Sequence, residues 1–580
     1  MYKALDHFDF DHRLIYVRNI FIFSLLFLVV GMAYFQLVRA DEYVRLAANN
    51  RLRVIRLLPP RGNVYDASGV PLAVNVRTFD IKAYPMDLRG DDEFEGVAAL
   101  FARHGIPMTA ADLREHVNKQ YIAPFRAVSI ASNLTLAQVS DLVMDPGFSD
   151  ILFPSSVWRR IYPAGALTAH VVGHVGEITR DELEDQRDLY YQAGDIIGKG
   201  GIESMYEEEL RGFIGEQVVE VDSRGRKLRD VNYSDPQKGS DIRLTLDLAA
   251  QREGFRIMNG RRGALVVLDV NDGAVKVFVS SPSYDPNPLT WGISTREWSA
   301  LMNDPDRPMM NRVTGGAYPP GSVFKIVPAA GILMERVASA GDTVRCPGWF
   351  RIGDPERTFR CWQRSGHGTR NLIGALRDSC DVYFYEKSIN LGIDRMIEWG
   401  RDFGVGARTG IDIPGEISGN IAGRDWKRTR IGEPWYHGDT VNYSIGQGYL
   451  LMTPIQMARI YAPIANGGRL VVPYLNADKK TEGPEIKLSR ANLDIIKRGV
   501  EEVVTGGTGR MLLQFGIEMA GKTGTAETAS GESHALFVGY APLRNPKYVG
   551  AAIIEGGGAG SAVAGPVVTQ MLAYLLQQGI

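Results

Sequence analysis

Residues 20–38 read IFIFSLLFLVVGMAYFQLV, nineteen positions without a charge. No other stretch restricts the chain's possible folds so strongly, because a run of this length matches the hydrocarbon core of a bilayer when helical. Lys3, Arg13 and Arg18 precede it and favour a cytoplasmic N-terminus, although Arg39 and Arg45 on the far side weaken the asymmetry. A cleaved signal peptide is the competing reading, since Val38-Arg39-Ala40 is a tolerable cleavage site. The run exceeds the apolar core of a signal peptide, about 7–15 residues, and an uncleaved anchor is preferred. No second run of this length follows. The reading is one transmembrane helix carrying a large exported part.

That part is long enough for several domains at roughly 150 residues each. Lys plus Arg number 65 against 67 for Asp plus Glu, so no electrostatic case exists for nucleic acid as a partner. The 64 glycines and 29 prolines follow no period, which excludes collagen and repeat arrays. Asp41–Arg56 reads as a connecting helix fading into a basic strand, and LLPPRGNVYDASGVPLAVN as a hairpin. Short helices are expected at Thr135–Met144 and Gly201–Leu210. His170 and His174, separated by Val-Val-Gly, read as structural rather than metal-binding. Residues 57–240 carry no concentration of nucleophiles or bases and read as a scaffold.

From Asp241 the pattern changes. DIRLTLDLAAQ is a strand running into a helix, and Asn271-Asp272-Gly273 joins two β-rich runs as a hairpin turn. EMAGKTGT, SHALFVGYAP and KYVGAAIIEG read as three further strands before an apolar C-terminal helix, with mostly helical sequence between the two strand groups. The expected fold is α/β (α+β): an antiparallel five-stranded sheet drawn from both ends of the region and flanked by helices. The division is 1–19 cytoplasmic, 20–38 anchor, 39–240 non-catalytic pedestal and 241–580 catalytic domain.

In YPPGSVFK, Ser322 and Lys325 share one helix face just behind a turn. A hydroxyl beside an amine is an activated nucleophile in outline, yet serine caps and exposed lysines are common, and the pair decides nothing alone. Ser379-Cys380-Asp381 and Lys522-Thr523-Gly524-Thr525 follow in order. The conjunction resembles the penicillin-binding and serine β-lactamase superfamily, with its S-x-x-K, S-x-N and K-T-G elements. Arg61-Gly62-Asn63-Val64-Tyr65-Asp66 with Gly69 resembles the N-terminal signature of class B penicillin-binding proteins, and GKGGIESMYEEELRG (198–212) their pedestal motif. Within that class the chain most resembles the penicillin-binding protein 2 subgroup, the elongation transpeptidases.

The resemblance implies a peptidoglycan DD-transpeptidase inhibited by β-lactams. Ser322 is the implied nucleophile and Lys325 its base, lowered by burial and by Lys522; Ser379 relays a proton. Lys522, Thr523 and Thr525 would receive the substrate's terminal carboxylate. Gly524 would leave room for the substrate strand, and the N–H groups of Ser322 and Thr525 would form the oxyanion hole. Asp381 departs from the wider family's asparagine, and a carboxylate there opposes deprotonation of Lys325; the subgroup resembles this chain in having it.

The three cysteines lie at 346, 361 and 380 with His367 among them. Three thiolates and an imidazole make a structural zinc site, while a Cys346–Cys361 disulfide with Cys380 free is the alternative. The resemblance favours zinc, because relatives hold a metal beside the active site; no organic cofactor is implied. Implied partners are stem peptides, a SEDS-family (RodA-like) glycosyltransferase and an MreC-like scaffold of the rod complex. A hydrolase keeping the acyl-serine is opposed by the long pedestal, the anchor and the lack of a deacylating glutamate motif. The third reading is non-enzymatic, a penicillin-sensing receptor or a scaffold whose catalytic domain only binds; a sensor would need more membrane spans than one.

Overall fold

The computed structural model of the chain describes residues 7–43, 52–88, 90–121, 124, 126–185, 191–221, 227–528 and 531–579. The N-terminal helix begins at His7, well before the apolar run, extends to Ala33 and continues as a π-helical turn over Tyr34–Val38. The part apolar enough to cross a membrane is Leu14–Val38, 25 residues with mean hydropathy 2.3 and none of them buried by the described residues. Of the expected connecting helix, a turn reaches Tyr43 and the basic strand forms at Leu52–Leu57; residues 44–51 lie outside the described residues.

Leu52–Leu57 pairs antiparallel with Gly215–Val221, which pairs with Lys227–Ser234. A second sheet is built on the long Pro71–Ala83 strand, flanked by Val64–Tyr65, Val128–Leu134 and Leu152–Ile161. Helices Asp91–Arg103, Ala110–Gln120 and Leu136–Met144 cover it, burying Phe94, Phe101, Leu113 and Leu142 against Ile81. Thr135 caps the last of these as a capping box: its hydroxyl accepts from the Gln138 N–H while Gln138 Oε1 accepts from the Thr135 N–H. The helix expected over Gly201–Leu210 forms as two, Gly201–Met205 and Glu207–Arg211, broken at Tyr206, whose hydroxyl donates to Asp412.

The RGN signature and the pedestal motif meet in a buried ionic network. Arg61 donates to both carboxylate oxygens of Glu207 (2.7 and 3.0 Å) and to Glu203. Arg160 donates to Glu203 Oε1 at 2.6 Å, and Tyr191 donates to Glu207 at 2.6 Å. Glu203 is fully buried, and its two guanidinium neighbours hold its carboxyl below the usual range against the opposing effect of burial.

In the C-terminal part the five antiparallel strands run Val275–Ser281, Gly263–Asp269, Tyr548–Ile554, Ser533–Ala541, Ala520–Glu527. They read as continuous apolar runs because both faces are covered. Leu265 and Val267 join one core with helices Leu248–Met258 and Ala564–Gln578; Ala264, Val266 and Leu268 join the other with Ile326–Met334 and Pro454–Asn466. The strand read in DIRLTL does not enter this sheet. Ile242–Arg243 pairs in parallel with Val64–Tyr65 of the N-terminal part.

Candidate active site

Two prolines and Gly321 start a 3₁₀ turn, Gly321–Lys325, that continues as the helix Ile326–Met334. With three residues per 3₁₀ turn, positions 322 and 325 stack one above the other. Ser322 is half-buried and Lys325 fully buried. The turn is held from behind: the Gly321 N–H donates to the Gly446 carbonyl (2.9 Å), Tyr461 Oη donates to the Val323 carbonyl (2.8 Å), and Tyr318 exchanges backbone hydrogen bonds with Met452 (2.9 and 2.8 Å). Gly446, in the SIGQG stretch, has φ +75°, and a Cβ there would fall 2.2 Å from the Gly321 carbonyl oxygen.

In front, the turn crosses the sheet's edge strand, Ala520–Glu527. A Cβ on Gly524 would meet Val323 at 3.1 Å and the Pro320 carbonyl at 3.3 Å. Glycine at this position lets the Ser322 turn pack closely against the strand. Thr523 is buried and its hydroxyl is engaged with Thr508 Oγ1 at 2.7 Å, whereas Thr525 is exposed. Thr508 lies in a GGTGR stretch with no motif to mark it.

Lys325 Nζ donates to Asp381 Oδ1 at 2.7 Å, to the Ser379 carbonyl at 2.9 Å and to Ser379 Oγ at 3.2 Å. Asp381 Oδ2 accepts the Trp362 N–H at 2.9 Å. Burial pushes the Asp381 carboxyl up from its usual range, opposed by Lys325. Ser379 has φ +53°, left-handed for a residue with a Cβ, and its carbonyl is gripped by both Lys325 Nζ and Trp362 Nε1. Lys522 is fully buried; burial first, then the charge of Lys325, pushes its amine well below the ordinary range, and Nζ donates to the Thr523 carbonyl at 3.2 Å.

The ligand atoms of Cys346, Cys361, His367 and Cys380 lie within 4.8 Å of one another. His367 Nδ1 is 3.4 Å from Cys361 Sγ and 3.7 Å from Cys346 Sγ. None of the three cysteines is disulfide-bonded in the structure. Cys346 ends a strand, Val344–Cys346, paired with Gly368–Arg370; Cys361 follows the ribbon of Trp349–Ile352 and Arg357–Arg360; Cys380 caps the helix Asp381–Leu391. Three buried sulfurs and an imidazole at these separations fit a four-coordinate soft-metal centre. The cluster flanks the Ser379–Asp381 motif on both sides, through Cys380 within it and through Cys361 beside Trp362.

The model of the penicillin binding protein transpeptidase domain matches residues 263–573, and that of the penicillin-binding protein dimerisation domain matches 56–244. The peptidoglycan D,D-transpeptidase MrdA of Escherichia coli K12 is 34% identical over 583 residues, covering 95% of this chain and 91% of its own length. Penicillin-binding protein PBP2 of Helicobacter pylori, solved in complex with MreC, superposes with a TM-score of 0.83 at 29% identity, covering 91% of this chain and 99% of that one. A chain of a peptidoglycan synthase complex that coordinates polymerization and crosslinking gives 0.72 at 28% identity, covering 97% and 98%.

Proposed function

We propose, from the premise that this chain belongs to the penicillin-binding protein transpeptidase family, that it cross-links peptidoglycan during wall elongation as a D,D-transpeptidase of the MrdA type. The observation that carries this reading is the convergence of three motifs far apart in sequence. Ser322 sits on a turn packed across the Lys522–Thr525 strand, and Lys325 beneath it is bonded to Ser379.

Ser322 Oγ attacks the penultimate D-Ala carbonyl of a donor stem peptide; the peptide C–N bond breaks and D-Ala leaves with a proton on its amine. An acceptor amine then attacks the ester carbonyl, the C–O bond to Ser322 breaks, and the amine's proton returns to the serine oxygen. Lys325 receives and returns these protons, with Ser379 Oγ at 3.2 Å as the relay toward the leaving and entering amines. Asp381 orients the Lys325 amine. Lys522, Thr523, Gly524 and Thr525 form the wall that takes the donor's terminal carboxylate, and the N–H groups of Ser322 and Thr525 receive the oxyanion. Cys346, Cys361, His367 and Cys380 would hold zinc, which when bound supplies a structural cross-link and no chemistry on the substrate.

The N-terminal helix anchors the chain with its start in the cytoplasm and the catalytic domain in the periplasm; the pedestal is residues 39–240 and the catalytic domain 241–580. A RodA-like glycosyltransferase and an MreC-like scaffold are the proposed partners, supported by the MreC complex of the Helicobacter pylori relative and by the peptidoglycan synthase complex. Intact mass against time after adding a penicillin tests the chemistry, with Ser322→Ala as control. A long-lived adduct on the parent alone is expected. A rapidly lost adduct would make the chain a hydrolase, and none on the folded protein would refute the acyl-serine reading.

A further inference from the structure

The metal-site lobe carries more positive charge than the mechanism uses. Residues 344–371 contain six arginines against Asp354 and Glu356, in a chain whose net charge is −2. Glu356 pairs with Arg351, and Arg370 pairs with Asp378 outside the segment. Arg360 and Arg364 are exposed and have no carboxylate partner among the described residues. Arginines left without counter-charge on one lobe repel one another, and an anionic ligand offsets that repulsion.

The same lobe presents aromatic surface. In the antiparallel ribbon Trp349 stands directly opposite Arg360, and Arg351 lies over the Trp349 ring at 4.4 Å. A Cβ on Gly348 would fall 2.2 Å from the Arg364 carbonyl oxygen, which puts the Arg364 loop against the start of this ribbon. Trp362 is 54% exposed although both of its N–H groups are committed: the indole to the carbonyls of Asp378 and Ser379, each at 3.1 Å, and the backbone to Asp381. The ring is thus a fixed flat surface at the rim of the Ser379 motif. Tyr385, on the helix that starts at Asp381, donates to the Arg360 carbonyl at 3.3 Å and ties the ribbon to the same rim.

We infer that Trp362, Arg360 and Arg364, backed by Trp349, form the subsite for the acceptor strand and grip the free carboxylates of its stem peptide. This rests on the transpeptidase reading. The Lys522–Thr525 strand forms one wall beside Ser322 and takes the donor, so the second peptide enters along the opposite wall, which is the Ser379 motif and the lobe joined to it. Guanidinium forks bind carboxylates with two parallel hydrogen bonds, and the fixed indole covers the peptide's apolar part. The acceptor amine is thereby delivered to the acyl-serine carbonyl from the side away from the donor's carboxylate.

The test uses the full chain in detergent micelles, a small thioester acyl donor, and two synthetic acceptor stem peptides, one with free carboxylates and one with all carboxylates amidated. In Arg360→Gln/Arg364→Gln the KM for the carboxylate acceptor should rise about tenfold, and the amidated acceptor should respond equally poorly to parent and variant. Acylation of Ser322 by penicillin and by the thioester should be unchanged, which also certifies the variant's fold. An equal change with both acceptors, no change with either, or slowed acylation by the donor would overturn the assignment. Failure of the parent to form any penicillin adduct would overturn the transpeptidase reading itself, and this subsite with it.

Discussion

Glu203→Gln should loosen the pedestal without touching the chemistry. The side chain is fully buried, with one oxygen on Arg61 and the other on Arg160 at 2.6 Å. Glutamine keeps the shape but turns an –NH₂ toward one guanidinium and removes the charge, so Arg61 would keep only the carboxylate of Glu207 and the buried Arg160 would lose its carboxylate partner. Removing one partner of a buried ion pair costs about 3–5 kcal/mol, chiefly from the charge left uncompensated. The loss falls where the network closes contacts between residues 61 and 203–207, while the helix Ala564–Gln578 and the sheet face it covers belong to a separate core. Hydrogen–deuterium exchange resolves the two. Slow amides around residues 61–65 and 197–210 should lose protection by roughly a hundredfold to several thousandfold, the equivalent of that free energy, with residues 567–575 of the separate core unchanged. The penicillin acylation rate of Ser322 should stay at the parent value. A loss of protection below about tenfold would mean the network contributes no more than an exposed ion pair. Slowed acylation with intact protection would mean that the network acts on the active site instead.

Gly524→Ala should slow Ser322 acylation by roughly ten- to a hundredfold, because its Cβ displaces the nucleophile's turn by a few tenths of an ångström; time-resolved intact mass reads the rate, and an unchanged rate would show that the turn can yield. Cys361→Ser should lose one equivalent of bound zinc by elemental analysis and slow acylation by about ten- to a hundredfold; full acylation in a protein verified as metal-free would separate the cluster from the site. Burial lowers the His170 pKa from 6.5 to about 4, so the unfolded chain takes up a proton first as pH falls, and stability is lost between those two values. At pH 5 His170→Gln should recover about 2 kcal/mol relative to its own effect at pH 7.5, read from urea midpoints, and parallel pH profiles would refute the shift.

Much of this molecule is legible locally. A charge-free run long enough for a bilayer, a short helix from Thr135, the Asn-Asp-Gly turn and three active-site motifs in order each occupy a few neighbouring residues, and their physics acts over that distance. Patterning also fixes the five-strand sheet, since β-rich runs with no polar face must be covered on both sides. What lay beyond the sequence is every feature set by contacts between distant segments. Nothing near Arg61 announces that its partners stand 142 and 146 residues away. The DIRLTL strand has the same alternation whichever sheet it joins, and only the neighbour available in space sends it to Val64–Tyr65. Thr508 and Gly446 carry no motif because they serve as backing for a strand and a turn rather than as chemistry. The cysteine spacing allowed a disulfide or a metal site, and it was the folding of two ribbons and a helix start onto one point that brought all three sulfurs to His367. Propensity and periodicity determine elements; which elements meet is decided by packing, where a buried charge or a missing Cβ has its full energetic effect only once the partner has arrived.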